Sequence, residues 1–212
     1  MGLFLIQKVD DHYSFLFDSF ENLRPWKDSS SFSKEESLLQ VVDSNKRRFF
    51  IYYAGNDTLA IDYLKMALQE ELSKKDDDLD VCYVNDVIVP LIRETCEKTY
   101  DISYTEEHLA TTNRKIYLFT DTVAYCINQF FIINEIIDNI DAQKVSYRGL
   151  LNYYKDLSLY ERGMIIFNGY KNKNIQIDYP LIFGKTNEKT IRAEFPNDEH
   201  KEINMEEFIC HY

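Results

Sequence analysis

Apolar runs of strand length fill the first fifty residues before any helical period begins. Leu3–Val9 (LFLIQKV) is an apolar run, Asp10-Asp11 is a turn pair, and residues 12–17 return with aromatics. That pattern predicts a β-hairpin. Residues 22–34 hold Pro25, three consecutive serines and mixed charge, and predict a surface loop. A second hairpin is predicted from residues 38–42, a polar turn at 43–46, and residues 48–54 (RFFIYYA), with Gly55 ending the strand. The period then changes. Leu59, Ile61, Leu64, Ala67, Leu68 and Leu72 recur at spacings of three and four, with Asn56 or Asp57 placed to cap the helix. Lys65, Gln69, Glu70 and Glu71 lie among them on the other side, and residues 74–80 (KKDDDLD) form a charged loop.

In the second half, residues 86–100 predict a helix with Pro90 in its first turn. Residues 115–120 (KIYLFT) predict a strand, with 123–127 as its hairpin partner, while the apolar run 130–140 fits a strand or a helix. Two helices are predicted over 146–155 and 158–170, the second opened by the capping-box pattern Ser158-x-x-Glu161. Residues 175–183 and 191–195 read as strands paired across a turn near Asn187. No internal repeat and no domain-sized linker interrupts this order. One α+β domain over residues 1–195 is expected, followed by an acidic tail, 196–212, with a short helix at 203–209.

Composition narrows the function. A chain of 212 residues buries a sizeable core unaided. With 45% hydrophobic and 28% charged residues it is globular rather than disordered. Thirty-six acidic against 24 basic side chains give a net charge of −12, which repels phosphate backbones and anionic lipid. Nucleic acid and membrane are therefore not expected as partners. No stretch approaches the roughly 18–20 apolar residues of a membrane span. Cys82, Cys96, Cys126 and Cys210 are scattered, which fits a reduced, cytoplasmic setting. His12, His108, His200 and His211 show no ligand spacing, and Asp76, Asp77 and Asp78 lack the spaced oxygens and central glycine of a calcium loop. Neither a metal nor a cofactor is expected. The 16 Tyr and 14 Phe suit strands and core, and they also suit a partner surface.

The order of elements carries a resemblance: two hairpins, an Ala-Gly closing the fourth strand, two helices, middle strands, two helices and late strands. It resembles the proteasome-subunit family of N-terminal-nucleophile (Ntn) hydrolases, including the HslV-type proteases. Phe17-Asp18-Ser19 matches the family's Asp after the second strand, and Tyr53-Ala54-Gly55 matches its Ala-Gly before the first helix. The resemblance implies a four-layer αββα sandwich and subunits that bury broad surfaces against one another. It also implies a mechanism. An N-terminal Thr, Ser or Cys attacks the carbonyl, a Lys lowers its effective pKa, the Asp orients that Lys, and a backbone N–H near the Gly stabilises the oxyanion. The chain opens Met1-Gly2, has no Thr, Ser or Cys before Ser14, and places Leu39–Gln40 where the Lys belongs, with Lys34 several residues early. Asp18 and Gly55 remain as relics without partners. The expectation is a non-catalytic protein of this fold that works through self-association or a protein partner. An Ntn-type amidohydrolase or peptidase with an unrecognised nucleophile, such as Ser14 exposed by cleavage, is the enzymatic counterpart.

A rival resemblance predicts an enzyme. Residues 49–72 look like the opening strand and helix of a TIR domain, and residues 115–136 like a TIR strand followed by a helix with an aromatic four residues before a Glu. Phe131 and Glu135 hold those positions. In NAD-cleaving TIR domains that Glu polarises the ribose and helps expel nicotinamide, so Glu135 would be catalytic. The reading requires a doubly wound parallel sheet. It leaves residues 1–46 and their hairpin unexplained.

Overall fold

The computed structural model describes residues 3–18, 39–55, 60–100, 114–142, 156–172, 181–195 and 199–208. The chain divides into two compact units: Met1–Ser37 with Ile137–Glu207, and Leu38–Ile136 with Phe208–Tyr212. No helix among the described residues is long and apolar enough to cross a membrane.

The first unit is built on the early hairpin. Strands β1 (Leu3–Val9) and β2 (His12–Asp18) pair antiparallel, with Phe4 opposite Phe17 and Val9 opposite His12. Asp10 turns the chain with φ 51°, a left-handed conformation that Asp tolerates better than most residues. Among the described residues the unit also holds β8 (Asp138–Ala142), a helix (Leu159–Asn172), β9 (Leu181–Lys185), β10 (Thr190–Glu194) and β11 (His200–Asn204). The six-stranded sheet runs β11-β10-β9-β2-β1-β8, and every neighbouring pair is antiparallel. Alternation along the strands gives it two faces. One carries Leu5, Leu16 and Leu181 and meets the helix, where a Cβ on Gly163 would strike the Leu16 side chain. The other carries Phe4, Ile6, Phe15, Phe17, Ile182, Ile191 and Ala193, all buried. On that face Gly184 has no room for a side chain, since its Cβ would lie 2.5 Å from Phe15 Cζ and 2.6 Å from Ile191 Cγ2.

The second unit contains β3 (Leu39–Asp43), β4 (Arg48–Gly55), β5 (Arg114–Phe119), β6 (Ala124–Asn128) and β7 (Ile133–Glu135), ordered as numbered and antiparallel throughout. Helix α1 (Ile61–Leu72) lays Leu64, Leu68 and Leu72 against one face of this sheet, in a cluster with Phe49, Ile51, Ile116, Leu118 and Ile127. Each such side chain gains about 1.5–3 kcal/mol by leaving water. The opposite face is also apolar: Leu39, Val41, Phe50, Tyr52, Tyr117, Phe119 and Ala124 are all buried. Phe50 stacks on Phe119 with centroids 5.3 Å apart. Burial on both faces explains why β4 and β5 read as nearly unbroken apolar runs.

The structure amends several local expectations. The helix expected from residue 86 begins earlier. Asp80 caps it by accepting the Tyr83 N–H at 2.8 Å, and α2 (Val81–Tyr83), a π-helical turn (Val84–Ile88) and α3 (Val89–Tyr100) follow without a break. Pro90 therefore sits inside a helix. It has no N–H and its ring crowds the carbonyl four residues back, and the wider turn just before it, where Val89 N–H reaches Val84 O, absorbs both effects. The helix of the first unit, α4 (Leu159–Asn172), starts as expected: Ser158 N–H and Oγ–H both donate to Glu161 Oε2, at 2.9 and 2.7 Å. In the last segment β11 extends the sheet, and a 3-10 turn (Met205–Phe208) holds part of the expected short helix. Ala60, whose side chain makes no cap, stands at the start of α1; Asn56 and Asp57 lie outside the described residues. So do the expected loop 22–34 and helix 146–155.

Candidate functional site

Strand β3 supplies the positions where the resemblance to Ntn hydrolases places a lysine. Leu39 and Gln40 point to opposite faces of the sheet, because successive side chains of a strand alternate. Leu39 lies opposite Tyr52 on the face away from the helices, buried among Val41, Phe50, Tyr52, Tyr117 and Phe119. Gln40 is fully buried on the helix side. Its Oε1 accepts the Tyr53 hydroxyl at 2.7 Å, and its Nε2 donates to the Lys65 carbonyl at 2.9 Å and to Gln69 Oε1 at 3.4 Å. The amide therefore fastens β3 to β4 and α1, and neither of the two positions offers a cation. Sequence pattern alone did not single out this network. Its signal is a Gln at an inward position of a run that is otherwise apolar, LQVV.

The other sequence-derived candidates are distributed as follows. Asp18 ends β2, opposite Leu181, in the first unit. Gly55 ends β4, opposite Arg114, in the second. Ser14 lies in mid-strand, buried and paired with Gln7 on one side and Lys185 on the other, so a cut before it would divide the β1–β2 hairpin. Lys34 lies outside the described residues. Asp78 is a structural staple: it accepts from the Thr120 hydroxyl at 2.9 Å, from the Thr122 hydroxyl and from the Leu79 N–H, and it pairs with Arg47 at 3.1 Å.

The TIR reading is corrected here. Among the described residues both sheets are antiparallel throughout, whereas a doubly wound domain needs parallel strands with helical crossovers. The helix it requires across residues 130–137 is instead a loop followed by β7. Phe131 packs inward, while Glu135 is exposed on an edge strand opposite Tyr125. The aromatic and the Glu do not share a helix face. Burial, and then the charge of Glu135, push the Tyr125 hydroxyl above its ordinary range.

Among the described residues of the first unit, one cation is buried. Arg162, on α4, is 1% exposed and donates Nη2 to Gln7 Oε1 at 2.7 Å. Its Nε and Nη1 are buried with no acceptor among the described residues. A guanidinium cannot lose its charge, so its burial opposes folding until an acceptor reaches it. Leu159 and Arg162 stand three residues apart on one helical stripe, and that spacing is the sequence signal that Arg162 faces inward.

Taken together, two antiparallel sheets, each with helices along one face, describe a proteasome-like fold. Solved structures of the same fold are Anbu proteins. The Gly-1 mutant of Anbu from Hyphomicrobium sp. strain MC1 superposes with a TM-score of 0.55 at 14% identity, covering 96% of this chain and 88% of that one. Anbu from Pseudomonas aeruginosa, solved as a helical assembly of the Anbu complex, gives 0.54 at 11% identity, over 95% and 86% of the two chains. Anbu from Yersinia bercovieri, an ancestral beta-subunit, gives 0.51 at 12%, over 95% and 87%. At these identities the likeness is one of fold. No protein-family model and no curated protein sequence matches the chain.

Proposed function

We propose that this chain is a non-catalytic protein of proteasome-like fold that acts through self-assembly or contact with another protein in the cytoplasm. Within it, residues 1–195 form one four-layer αββα domain. The observation that carries the reading is the content of β3. Where the resemblance calls for a lysine to activate a nucleophile, Leu39 lies buried among Val41, Phe50, Tyr52, Tyr117 and Phe119, and Gln40 is engaged by Tyr53 and α1. Lowering the pKa of a hydroxyl or thiol needs a nearby cation, and neither side chain supplies one. Support for the sandwich comes from the second buried, apolar face on each sheet, turned away from that sheet's own helices. Support for self-assembly comes from fold neighbours, one of which was solved as a helical assembly.

The test joins two readouts on the same sample. A β-lactone probe that acylates N-terminal nucleophiles, with a proteasome labelled alongside as control, should leave the chain at its unmodified mass. Native mass spectrometry at micromolar concentration should show an assembly of many 25.2 kDa subunits. A stable covalent adduct would overturn the non-catalytic reading. A monomer throughout the micromolar range would overturn self-assembly.

A further inference from the structure

The guanidinium of Arg162 is buried at 1% exposure, and its contacts leave the charge unanswered. Nη2 donates to the Gln7 amide oxygen at 2.7 Å, while Nε and Nη1 are buried with no acceptor among the described residues. An amide is neutral, so that contact satisfies one donor and cancels no charge. Nearly all buried polar groups in folded proteins have a partner, and two open donors on one buried cation call for one.

Strand register shows what surrounds the group. On the face of the six-stranded sheet that meets α4, Leu5 and Leu16 form an apolar floor. Two residues further along each strand, alternation brings Gln7, Ser14 and Lys185 to the same face. The register aligns them in one row, Gln7 opposite Ser14 and Ser14 opposite Lys185, with Asp138 of β8 placed on the other side of Gln7. Ser14 is buried, while Gln7 and Lys185 on either side of it are half-buried, so the row runs from core to water. Lys185 is already answered by Glu188 at 2.7 Å. Arg162 has no carboxylate against it among the described side chains.

Water fills open donors without cancelling a charge, and a buried charge is tolerated only when a counter-charge accompanies it. Gln7 occupies one N–H of Nη2, so the planar fork keeps a complete edge of paired N–H groups. A carboxylate fits such an edge with two parallel hydrogen bonds. One positive charge is matched by one negative charge, and a doubly charged phosphate would add repulsion in a chain of net charge −12. A group 1% exposed presents no surface to a protein chain, so the carboxylate belongs to a small molecule.

We propose that Arg162, between α4 and the Gln7 row of the first sheet, anchors a site for a small monocarboxylate. The site lies wholly within the first unit and does not depend on the self-assembly reading.

Urea unfolding of the full chain near neutral pH tests it, with acetate as the probe and chloride as the balancing salt. An unselective anion site then gives no change. For a dissociation constant of about 10 mM, raising acetate from about 1 to about 100 mM should raise the folding constant about tenfold. Gln7→Glu places a carboxylate of the chain itself at Nη2. It should unfold at higher urea than the unaltered chain in the absence of acetate, and it should lose the acetate response. Arg162→Met, which replaces the charge by an apolar side chain, should lose the response too. An unaltered chain indifferent to acetate overturns the site; a response created by Asp138→Asn would then identify Asp138 as the internal counter-charge. A response that persists in Gln7→Glu also overturns it, even where Arg162→Met fails to fold.

Discussion

Asp78 collects the Thr120 and Thr122 hydroxyls, the Leu79 N–H and the Arg47 guanidinium around one carboxylate. Burial alone would raise its pKa. The hydrogen bonds from Thr122, Thr120 and Leu79 and the charge of Arg47 together outweigh burial, and the carboxyl is held below its ordinary range. A depressed folded pKa means stability that is present above the unfolded value, roughly 3.9, and lost as pH falls through the folded one. Asp78→Asn should therefore cost about 1–2 kcal/mol near neutrality, a modest figure because the group is partly exposed. The loss should shrink as the solution is acidified. Urea unfolding at about pH 7 and about pH 3 checks this; an equal loss at both would contradict it. In the sequence Asp76–Asp78 belong to a charged loop. Nothing local marks Asp78 apart from its neighbours, since its hydroxyl partners lie 42 and 44 residues away.

Whole elements were more legible than their partners. Both early hairpins stand where the apolar runs and turn residues put them, and the capping box at Ser158 and Glu161 forms as its spacing required. These signals act over at most a few residues. The α2–α3 helix starts ahead of the sequence expectation because Pro90 argues for a first turn, and the local pattern carries no sign of the π turn that accommodates it. Gly184 shows the same division. As a residue inside a strand it suggests close approach, yet only the pairing of β2 with β9 sets Phe15 against it. Gly184→Ala should destabilise the chain by about 1–3 kcal/mol, since the added methyl meets Phe15 and Ile191 in a packed core. Thermal melts of the pair check this. Unchanged or raised stability would show that the ring moves aside freely.

For the molecule as a whole, the sandwich reading makes one demand on its parts. On that reading, a fragment of residues 38–136 would expose the apolar face of Leu39, Phe50, Tyr52, Tyr117 and Phe119, which is buried in the whole chain. Such a surface in water promotes association and loose packing. The fragment should bind a hydrophobic dye and lack a cooperative melt, whereas a well-folded, dye-free monomer would count against the four-layer arrangement.

By itself the sequence determined the strand-rich beginning, the helical periods, the caps and turns, and the acidic balance of the chain. Each of these rests on neighbouring residues or on sums over the chain, so no distant contact is needed to read it. Tertiary structure decided the rest. It alone set β1 between β2 and β8, added β11 to the sheet edge, and joined Arg162 to Gln7 across 155 residues. It also turned Gln40 into a tie between β3 and α1. The physical reason is common to all of them. A polar side chain in an apolar run, or a strand with two open edges, looks the same in sequence whichever distant partner satisfies it, and only packing selects among them.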